Sequence, residues 1–259
     1  MPLDRPLRRT CRPFTDGSYD GAGRWIYLLD LRFANEPQHY ISAFLLLQRD
    51  VLDLFAYIEP ADPNRKTYSH RVQQLLMRAC VEVEANLKAI LTENGYRRQG
   101  GADLTMADYR LVNRSHRLSE YEIRIPSWRG SRYITRPFAQ WDAHAGALPW
   151  YQAYNKSKHD RHEFFEYATF EAMVDALCGL AVVLSAQFHQ DYYSPAGDTV
   201  TFRRRYGYDI DDRMESAIGG YLRIKFPTTW LEAERYAFDW TQVVRLEDPF
   251  DRFDYSSAS

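Results

Sequence analysis

The chain has 259 residues, of which 45% are hydrophobic, and is long enough to bury a substantial core in one large domain or one domain with an appendage. Its formal net charge of −2 excludes a protein that coats nucleic acid through bulk electrostatics, so any nucleic-acid contact must be local. Three widely spaced cysteines argue against a disulfide framework or a zinc site, and the sequence shows neither an apolar leader nor a membrane-length run, which predicts a soluble cytoplasmic protein.

The first third of the chain predicts an arm followed by two long helices. Residues 1–36 are irregular, and their apolar segment 25–33 fits either a short strand or a leading helix. Apolar residues then recur at helical spacing over residues 38–58 and 68–94. Gly95 closes the second of these helices, as expected of a C-terminal cap.

Arginines cluster at three places in the chain. We interpret each cluster as part of a solvated loop, because short runs of like charge usually lie in solvent. The clusters are Arg8, Arg9 and Arg12; Arg97 and Arg98; and Arg203, Arg204 and Arg205.

The middle of the chain contains shorter elements. Thr105 and Asp108 form a capping box that predicts the start of a short helix. Residues 119–126 alternate with period two, which indicates a strand or an extended connector. Residues 128–149 predict a long ordered loop, because the aromatic residues within it must pack against the fold.

Residues 150–161 carry the densest polar chemistry of the chain. Read as one helix, they place Asn155 and His159 one above the other, with His162 following on the same side. Lys158 and Tyr151 flank this face. Such a face can bind or cleave a phosphodiester, or it can be a polar seam between two helices.

The rest of the chain predicts a buried helix and then a less regular segment. Residues 164–188 are apolar on almost every side, which is typical of a central core helix. We place a domain boundary near residue 191, which divides the chain into an arm at 1–36, a helical bundle at 37–190 and an extension at 191–259. The extension is predicted to contain a strand at 199–206, a closing helix at 230–240 and a disordered tail after Phe253.

The order of these parts resembles the HEPN-like families of bacterial helical proteins, over about residues 37–190. The resemblance rests on the helix segment 79–88, on residues 150–161 and on the Ala/Leu-rich helix that follows. Catalytic HEPN domains carry an arginine, usually followed by asparagine, and a histidine a few residues later. Asn155 and His159 match the asparagine and histidine, whereas Tyr154 stands at the arginine position and cannot supply a bidentate cation.

The resemblance implies a helical bundle and frequent homodimerisation across the motif helix. Together with the extension at 191–259, it predicts a mainly α fold, a HEPN-like helical bundle with a small irregular α+β C-terminal appendage. We expect the dimer to form through the motif helix or the helix before it. The resemblance also implies, in active members, RNA cleavage without a metal or another cofactor. In that reading His159 and Asn155 are the catalytic residues, and His159 moves the proton of a ribose 2′-hydroxyl. The substrate-binding residues would be Lys158, Arg161, Tyr154 and Tyr151.

Glu82, Asn86 and Asp160 are the candidate supporting residues. On a helical wheel Asn86 falls inside the apolar stripe of residues 68–94 and Glu82 at its edge, so we expect both to point into a helix interface. Asn86 could bond a nearby backbone carbonyl, or it could meet Asn155 and His159. We expect His159 to hydrogen-bond through one ring nitrogen to a carbonyl or to Asp160, Glu82 or Asn86.

Two other readings of the motif stay open beside RNA processing. The first is a non-catalytic helical interaction module that binds a protein partner, in which the same residues form a satisfied polar seam beside Tyr151 and Glu82. The second is a metal site built from His159, His162 and Glu163. The metal site is disfavoured, because adjacent residues on a helix diverge by about 100°.

Overall fold

The core is built from the three long helices that the apolar stripes predict, and the fold is mainly α. This computed structural model of the chain describes residues 1–19, 21–131, 134–142, 146–189 and 214–257. The long helices are α1 (Pro37–Leu54), α2 (His70–Glu93) and α7 (Phe170–Phe188). Each buries its apolar stripe, and α7 packs chiefly against α2.

Helix α7 is the most deeply buried element of the fold. It begins at Phe170, six residues later than predicted, because the Thr169 hydroxyl accepts a hydrogen bond from the backbone of Ala172 and caps the helix there. The helix is long and apolar enough to span a membrane. Its most apolar window is, however, 89% buried inside the fold, as in the core helix of a soluble protein.

Short helices connect the long ones. The short α-helices are α3 (Met106–Tyr109), α4 (Val112–His116), α5 (Pro149–His159), α6 (Arg161–Phe164) and α8 (Trp240–Val243). Short 3-10 helices lie at Gly21–Leu29, Asp62–Asn64, Gln99–Gly101, Leu118–Glu120, Ala139–Trp141, Phe165–Tyr167 and Glu232–Glu234. The capping box at Thr105 is confirmed, and the segment at 25–33, for which strand and helix were both open, begins in a 3-10 helix.

A small antiparallel sheet joins the middle of the chain to its C-terminal part. Its strands are β1 (Glu122–Arg124), β2 (Ile134–Thr135), β3 (Glu215–Ser216) and β4 (Arg223–Lys225), in the order β2-β1-β4-β3. Ile123 pairs with Thr135 on one side and Ile224 on the other. For residues 119–126, where a strand and an extended connector were both open, the structure has a strand at Glu122–Arg124, and the sheet spans the boundary predicted near residue 191.

The C-terminal part also runs beside the N-terminal arm. Leu3 and Phe14 both form parallel bridges with Tyr236, whose hydroxyl accepts from Leu7 N and donates to Thr10 O. The closing helix predicted at 230–240 is therefore wrong, because these residues form a 3-10 helix at Glu232–Glu234 and then an extended segment in which Tyr236 packs on Phe14 of the arm. The predicted strand at 199–206 lies outside the described residues.

The chain remains packed beyond Phe253, where a disordered tail was predicted. Tyr255 is 3% exposed, and its hydroxyl lies 2.6 Å from Ser115 Oγ. The backbone N–H of Phe253 donates to Asn94 Oδ1 at 2.9 Å. The prediction of disorder is therefore wrong as far as Ser257, because a buried aromatic ring and two hydrogen bonds hold this segment on α2 and α4.

The arginines of the arm are structural, and their prediction as solvated residues is wrong for Arg9 and Arg12. Arg9 is fully buried, and its Nε lies 2.7 Å from Glu93 Oε1 of α2. Its Nη1 donates to Gln187 Oε1 of α7 at 2.7 Å, and its Nη2 donates to Asn35 O at 2.8 Å. A buried guanidinium needs such partners, because an uncompensated charge in the interior is costly.

The guanidinium of Arg12 is held by backbone carbonyls and an aromatic ring. Its Nε and Nη2 both donate to Ser115 O, and its Nη1 donates to Glu234 O at 3.2 Å. Its guanidinium also lies 4.9 Å from the ring centroid of Trp230. Burial lowers the pKa of Arg12 from its usual range, and the carbonyls and the aromatic ring stabilise the remaining charge. Arg12 thus joins the arm to α4 and to the C-terminal segment.

We expect the Arg9→Met variant to lose about 3–5 kcal/mol of unfolding free energy, because Gln187 and Glu93 would each lose a buried partner. Arg5→Met is the matched control, since Arg5 pairs with Asp251 in a half-exposed ion pair of the same arm and should contribute less than about 1 kcal/mol. Chemical denaturation measures both. Equal losses in the two variants would contradict the role assigned to Arg9.

Candidate functional site

The polar motif at 150–161 divides into a buried half and an exposed half. Its first half forms most of α5, with Pro149 in the first turn of the helix. Trp150, Tyr151 and Tyr154 are 2%, 8% and 1% exposed, and Trp150 Nε1 donates to Pro137 O at 2.9 Å. These three aromatic residues therefore anchor the motif in the hydrophobic core.

Helices α5 and α2 lie antiparallel along a polar seam. Near the start of α5, the Tyr151 hydroxyl donates to Glu84 Oε1 at 2.6 Å. Near its end, Gln73 Nε2 donates to Ser157 O at 3.3 Å. The carboxylate of the seam is thus Glu84, whereas the sequence predicted Glu82.

Tyr154, at the position of the HEPN arginine, holds a lysine. Its hydroxyl accepts a hydrogen bond from Lys158 Nζ at 2.9 Å, and this bond raises the pKa of Lys158. Burial raises the pKa of Tyr154, and burial together with the bond to Glu84 raises the pKa of Tyr151. Both phenols therefore stay neutral at physiological pH, while Lys158 stays charged and points its remaining N–H groups outward.

The exposed half of the motif carries the charged and imidazole groups. His159, Lys158 and Arg161 are exposed, and Asn155 is half-buried. Across the described ranges, neither Asn155 nor His159 makes a side-chain hydrogen bond. The predicted hydrogen bond that would orient the His159 ring is therefore wrong, and both of its nitrogens face solvent.

Asp160 ends α5 and turns the chain. Its backbone angles (φ −138°, ψ 81°) are not helical, and its Oδ1 accepts from the backbone N–H of Glu163 at 3.1 Å, which caps α6. Asp160 is thus a capping residue that does not contact His159. The prediction that His162 continues the face of His159 is wrong, because His162 belongs to α6.

Asn86 and Glu82 lie away from the exposed half. Asn86 is fully buried; its Nδ2 donates to Glu82 O at 2.9 Å, and its Oδ1 accepts from Gln187 Nε2 at 3.0 Å. Because Gln73 lies opposite Ser157, Asn86 is thirteen residues, or about 20 Å, further along α2. The suggestion that Asn86 meets His159 is wrong, since this part of the stripe faces α7.

Two aromatic groups that the sequence did not single out border the exposed half. Lys156 Nζ lies 4.3 Å from the ring centroid of Tyr167, and Phe165 packs between Tyr68 and His70 at 5.6 and 4.7 Å. Tyr68 and Tyr167 are 48% and 41% exposed. Tyr68 and Tyr167 both lie before the first buried residues of α2 and α7. This position in the sequence could have indicated that they are exposed.

No family model matches this chain, and no curated protein or solved structure is significantly similar to it. Within the described part of the chain, no group of three or more His, Cys, Asp or Glu side chains is arranged to hold a metal ion. The three cysteines are buried and form no disulfide. The exposed end of α5, with Asn155, Lys158 and His159, and the adjoining Arg161 at the start of α6 are therefore assigned as the candidate site on their own geometry.

The buried histidine His116, unlike His159, has polar partners and a structural role. Its Nε2 lies 2.9 Å from Arg9 O, and since a carbonyl only accepts, Nε2 carries the hydrogen. Its Nδ1 then accepts from Ser115 Oγ at 2.7 Å. Both ring nitrogens are satisfied and the ring is fully buried, so His116 fixes the backbone of the arm and is closed to a substrate.

We expect His116 to make the fold acid-sensitive. Burial lowers its pKa from 6.5 to about 3, so the folded protein keeps it neutral while the unfolded chain protonates it below pH 6.5. The contribution of neutral His116 to the unfolding free energy is therefore fully present above pH 6.5. It falls by up to about 1.4 kcal/mol per pH unit as the pH drops from 6.5 towards 3.

Denaturation between pH 7 and pH 4 tests this expectation. His116→Gln removes the titration and keeps a donor for Arg9 O, so its stability should depend less steeply on pH than that of the parent protein. His70→Gln, at an exposed histidine, should keep the parent slope. A parent slope in His116→Gln would show that other groups cause the acid sensitivity.

Proposed function

We propose that this chain is a HEPN-like RNA-processing protein that binds RNA at the exposed end of α5 and cleaves it as a metal-independent endoribonuclease. The observation that carries the proposal is the division of the motif. Its aromatic residues are buried by packing, whereas His159 and Arg161 are exposed and make no side-chain hydrogen bond in the described residues, and the exposed Lys158 donates one to Tyr154. Polar groups that folding does not use are available to a ligand.

The chemistry suits a phosphodiester. His159 would take the proton of a ribose 2′-hydroxyl as that oxygen attacks the adjacent phosphorus and expels the 5′-oxygen of the next nucleotide, which takes a proton from water. Lys158, held by Tyr154 and permanently charged, would contact the phosphate in place of the HEPN arginine, with Arg161 beside it. The exposed rings of Tyr68 and Tyr167 offer stacking surfaces for unpaired bases.

The central experiment incubates the protein with labelled single-stranded RNA in the presence of a metal chelator. We expect cleavage that leaves a 2′,3′-cyclic phosphate, and no cleavage where the attacking nucleotide is 2′-deoxy. His159→Ala should lower the rate at least about a hundredfold, because general acid–base groups contribute factors of that order. Lys158→Gln should weaken RNA binding measured by fluorescence anisotropy.

His162→Ala is the matched control, because His162 is equally exposed, lies three residues away and belongs to α6. It should retain the parent activity. Since His159 makes no hydrogen bond in the described part of the chain, His159→Ala should also keep the parent melting temperature. Cleavage unchanged in His159→Ala would overturn the assigned role, and the absence of any cleavage would remove the enzymatic part of the proposal.

One protomer offers a single proton-transfer group, and we propose that the active form is a homodimer. The aromatic flank at Trp150 and Tyr151 is buried within the chain and cannot form the interface. The outer faces of α1 and α2 instead expose Leu46 and Val81, at 49% and 50%. These side chains flank the ion pair between Arg78 and Asp50 on the outer surface of the two helices.

Light scattering at micromolar concentration tests the dimer. We expect twice the 30.5 kDa mass of the chain, and we expect Val81→Glu to yield the monomer because a charge would be buried at the interface. Leu231→Glu, at an exposed residue of the C-terminal segment, is the control. A monomeric parent protein would contradict the proposal that the active form is a homodimer.

A second function, a non-catalytic interaction module that binds a protein partner, is favoured by one observation. The His159 ring has no orienting hydrogen bond, whereas catalytic histidines are usually held by one. The polar seam of Tyr151 and Glu84 is satisfied without any ligand. Lack of RNA cleavage and binding, in a correctly folded protein, would favour this function.

A further inference from the structure

The opposite end of the molecule contains an open cleft rich in arginine. It has a volume of about 430 Å³ and lies where the arm, the C-terminal end of α2 and the C-terminal tail meet. Four arginines line it, Arg8, Arg32, Arg97 and Arg252, against one carboxylate, Glu93. We call this feature the arginine cleft. Gln73 of α2 lies at the level of the candidate RNA site, and Glu93 of the cleft lies twenty residues, or about 30 Å, further along the same helix.

Two of the four guanidinium groups are already neutralised. Arg8 Nη2 donates to both carboxylate oxygens of Asp248 at 2.9 Å, and Arg32 pairs with Asp30 at 2.8 Å. The single lining carboxylate, Glu93, is paired with the buried Arg9. The carboxylates near the cleft are therefore engaged with their own cations.

The other two guanidinium groups have no carboxylate partner within ion-pair distance in the described residues. Arg97 Nη1 donates to the carbonyls of Thr92 and Tyr96, and the side chain of Arg252 makes no hydrogen bond there. Both side chains are exposed. Two such cations facing one cleft, in a chain with a net charge of −2, form a local site for an anion.

The backbone around these cations is fixed by one buried amide. Asn94 Nδ2 donates to Arg8 O at 3.2 Å, and its Oδ1 accepts from Phe253 N at 2.9 Å, which ties the arm and the tail to the end of α2. Gly95 follows with φ +87°, and a Cβ at this position would lie 3.7 Å from Arg252 Nη1. The glycine thus turns the chain at the end of α2, beside the guanidinium of Arg252.

We propose that the arginine cleft binds the phosphate group of a mononucleotide-sized phosphate ester. The volume lies in the range of small-molecule sites, and paired guanidinium groups match the oxygens of a phosphate. Because Arg8 and Arg32 are paired with Asp248 and Asp30, two guanidinium groups, Arg97 and Arg252, remain to hold a phosphate. The cleft therefore fits a small ester better than a nucleic-acid strand.

Isothermal titration calorimetry at physiological ionic strength, with AMP, adenosine and inorganic phosphate as probes, tests the proposal. We expect AMP to bind, adenosine not to bind, and inorganic phosphate to compete with AMP. Arg252→Gln and Arg97→Gln should each weaken AMP binding about tenfold or more, because each loses a charged hydrogen bond. Arg98→Gln is the control, since Arg98 is exposed, lies next to Arg97 and is not part of the cleft lining.

Several results would overturn the assignment. They are no AMP binding at millimolar concentration, equal binding of adenosine and AMP, unchanged affinity in Arg252→Gln, or displacement of AMP by an RNA lacking a terminal phosphate. Arg252→Gln should keep the parent melting temperature, because the side chain has no hydrogen bond in the described residues to lose. His159→Ala should bind AMP like the parent protein, which keeps this test separate from that of the RNA site.

Discussion

The buried guanidinium of Arg9 is the interaction on which the arrangement of the other elements depends. A full charge at zero exposure is tolerated only when its partners are fixed, and here they come from α2 and α7 through Glu93 and Gln187. Gln187 also donates a hydrogen bond to Asn86, and His116 donates one to the backbone carbonyl of Arg9. The arm is therefore part of the core and determines how the two longest helices meet at this end of the molecule.

This network also explains where functional groups can lie. The polar residues at the C-terminal half of α2 are committed to folding, as the full burial and satisfied hydrogen bonds of Asn86 show. Along α2, the seam with α5 is closed by the hydrogen bonds of Gln73 to Ser157 and of Tyr151 to Glu84. The fold leaves His159 and Arg161 outside both networks, and this surplus polarity marks the exposed end of α5 as a site.

Local patterns in the sequence predicted the elements whose structure is determined locally. The apolar stripe of residues 68–94 predicts α2 because its period matches the helix, and the alternation near Ile123 predicts β1 for the same kind of reason. The spacing of Asp160 and Glu163 also contained a helix-start signal, which separates α6 from α5. The sequence could not reveal that Arg12 would find its partners at Ser115 and Glu234, 103 and 222 residues away, because no local period encodes such a contact.

Exposed cations lie near the two ends of α2, Lys158 at one and Arg252 at the other, although the chain as a whole is slightly acidic. Arg9 and Arg12 are buried and engaged with partners inside the fold, so their charges are not offered to a ligand at the surface. Lys158 at one end and Arg252 at the other have no carboxylate partner within ion-pair distance in the described residues. Since salt screens charges over about 10 Å, two groups of cations some 30 Å apart act independently. In the two proposals each end of α2 holds its own phosphate-bearing ligand, and we expect occupation of one end not to affect the other.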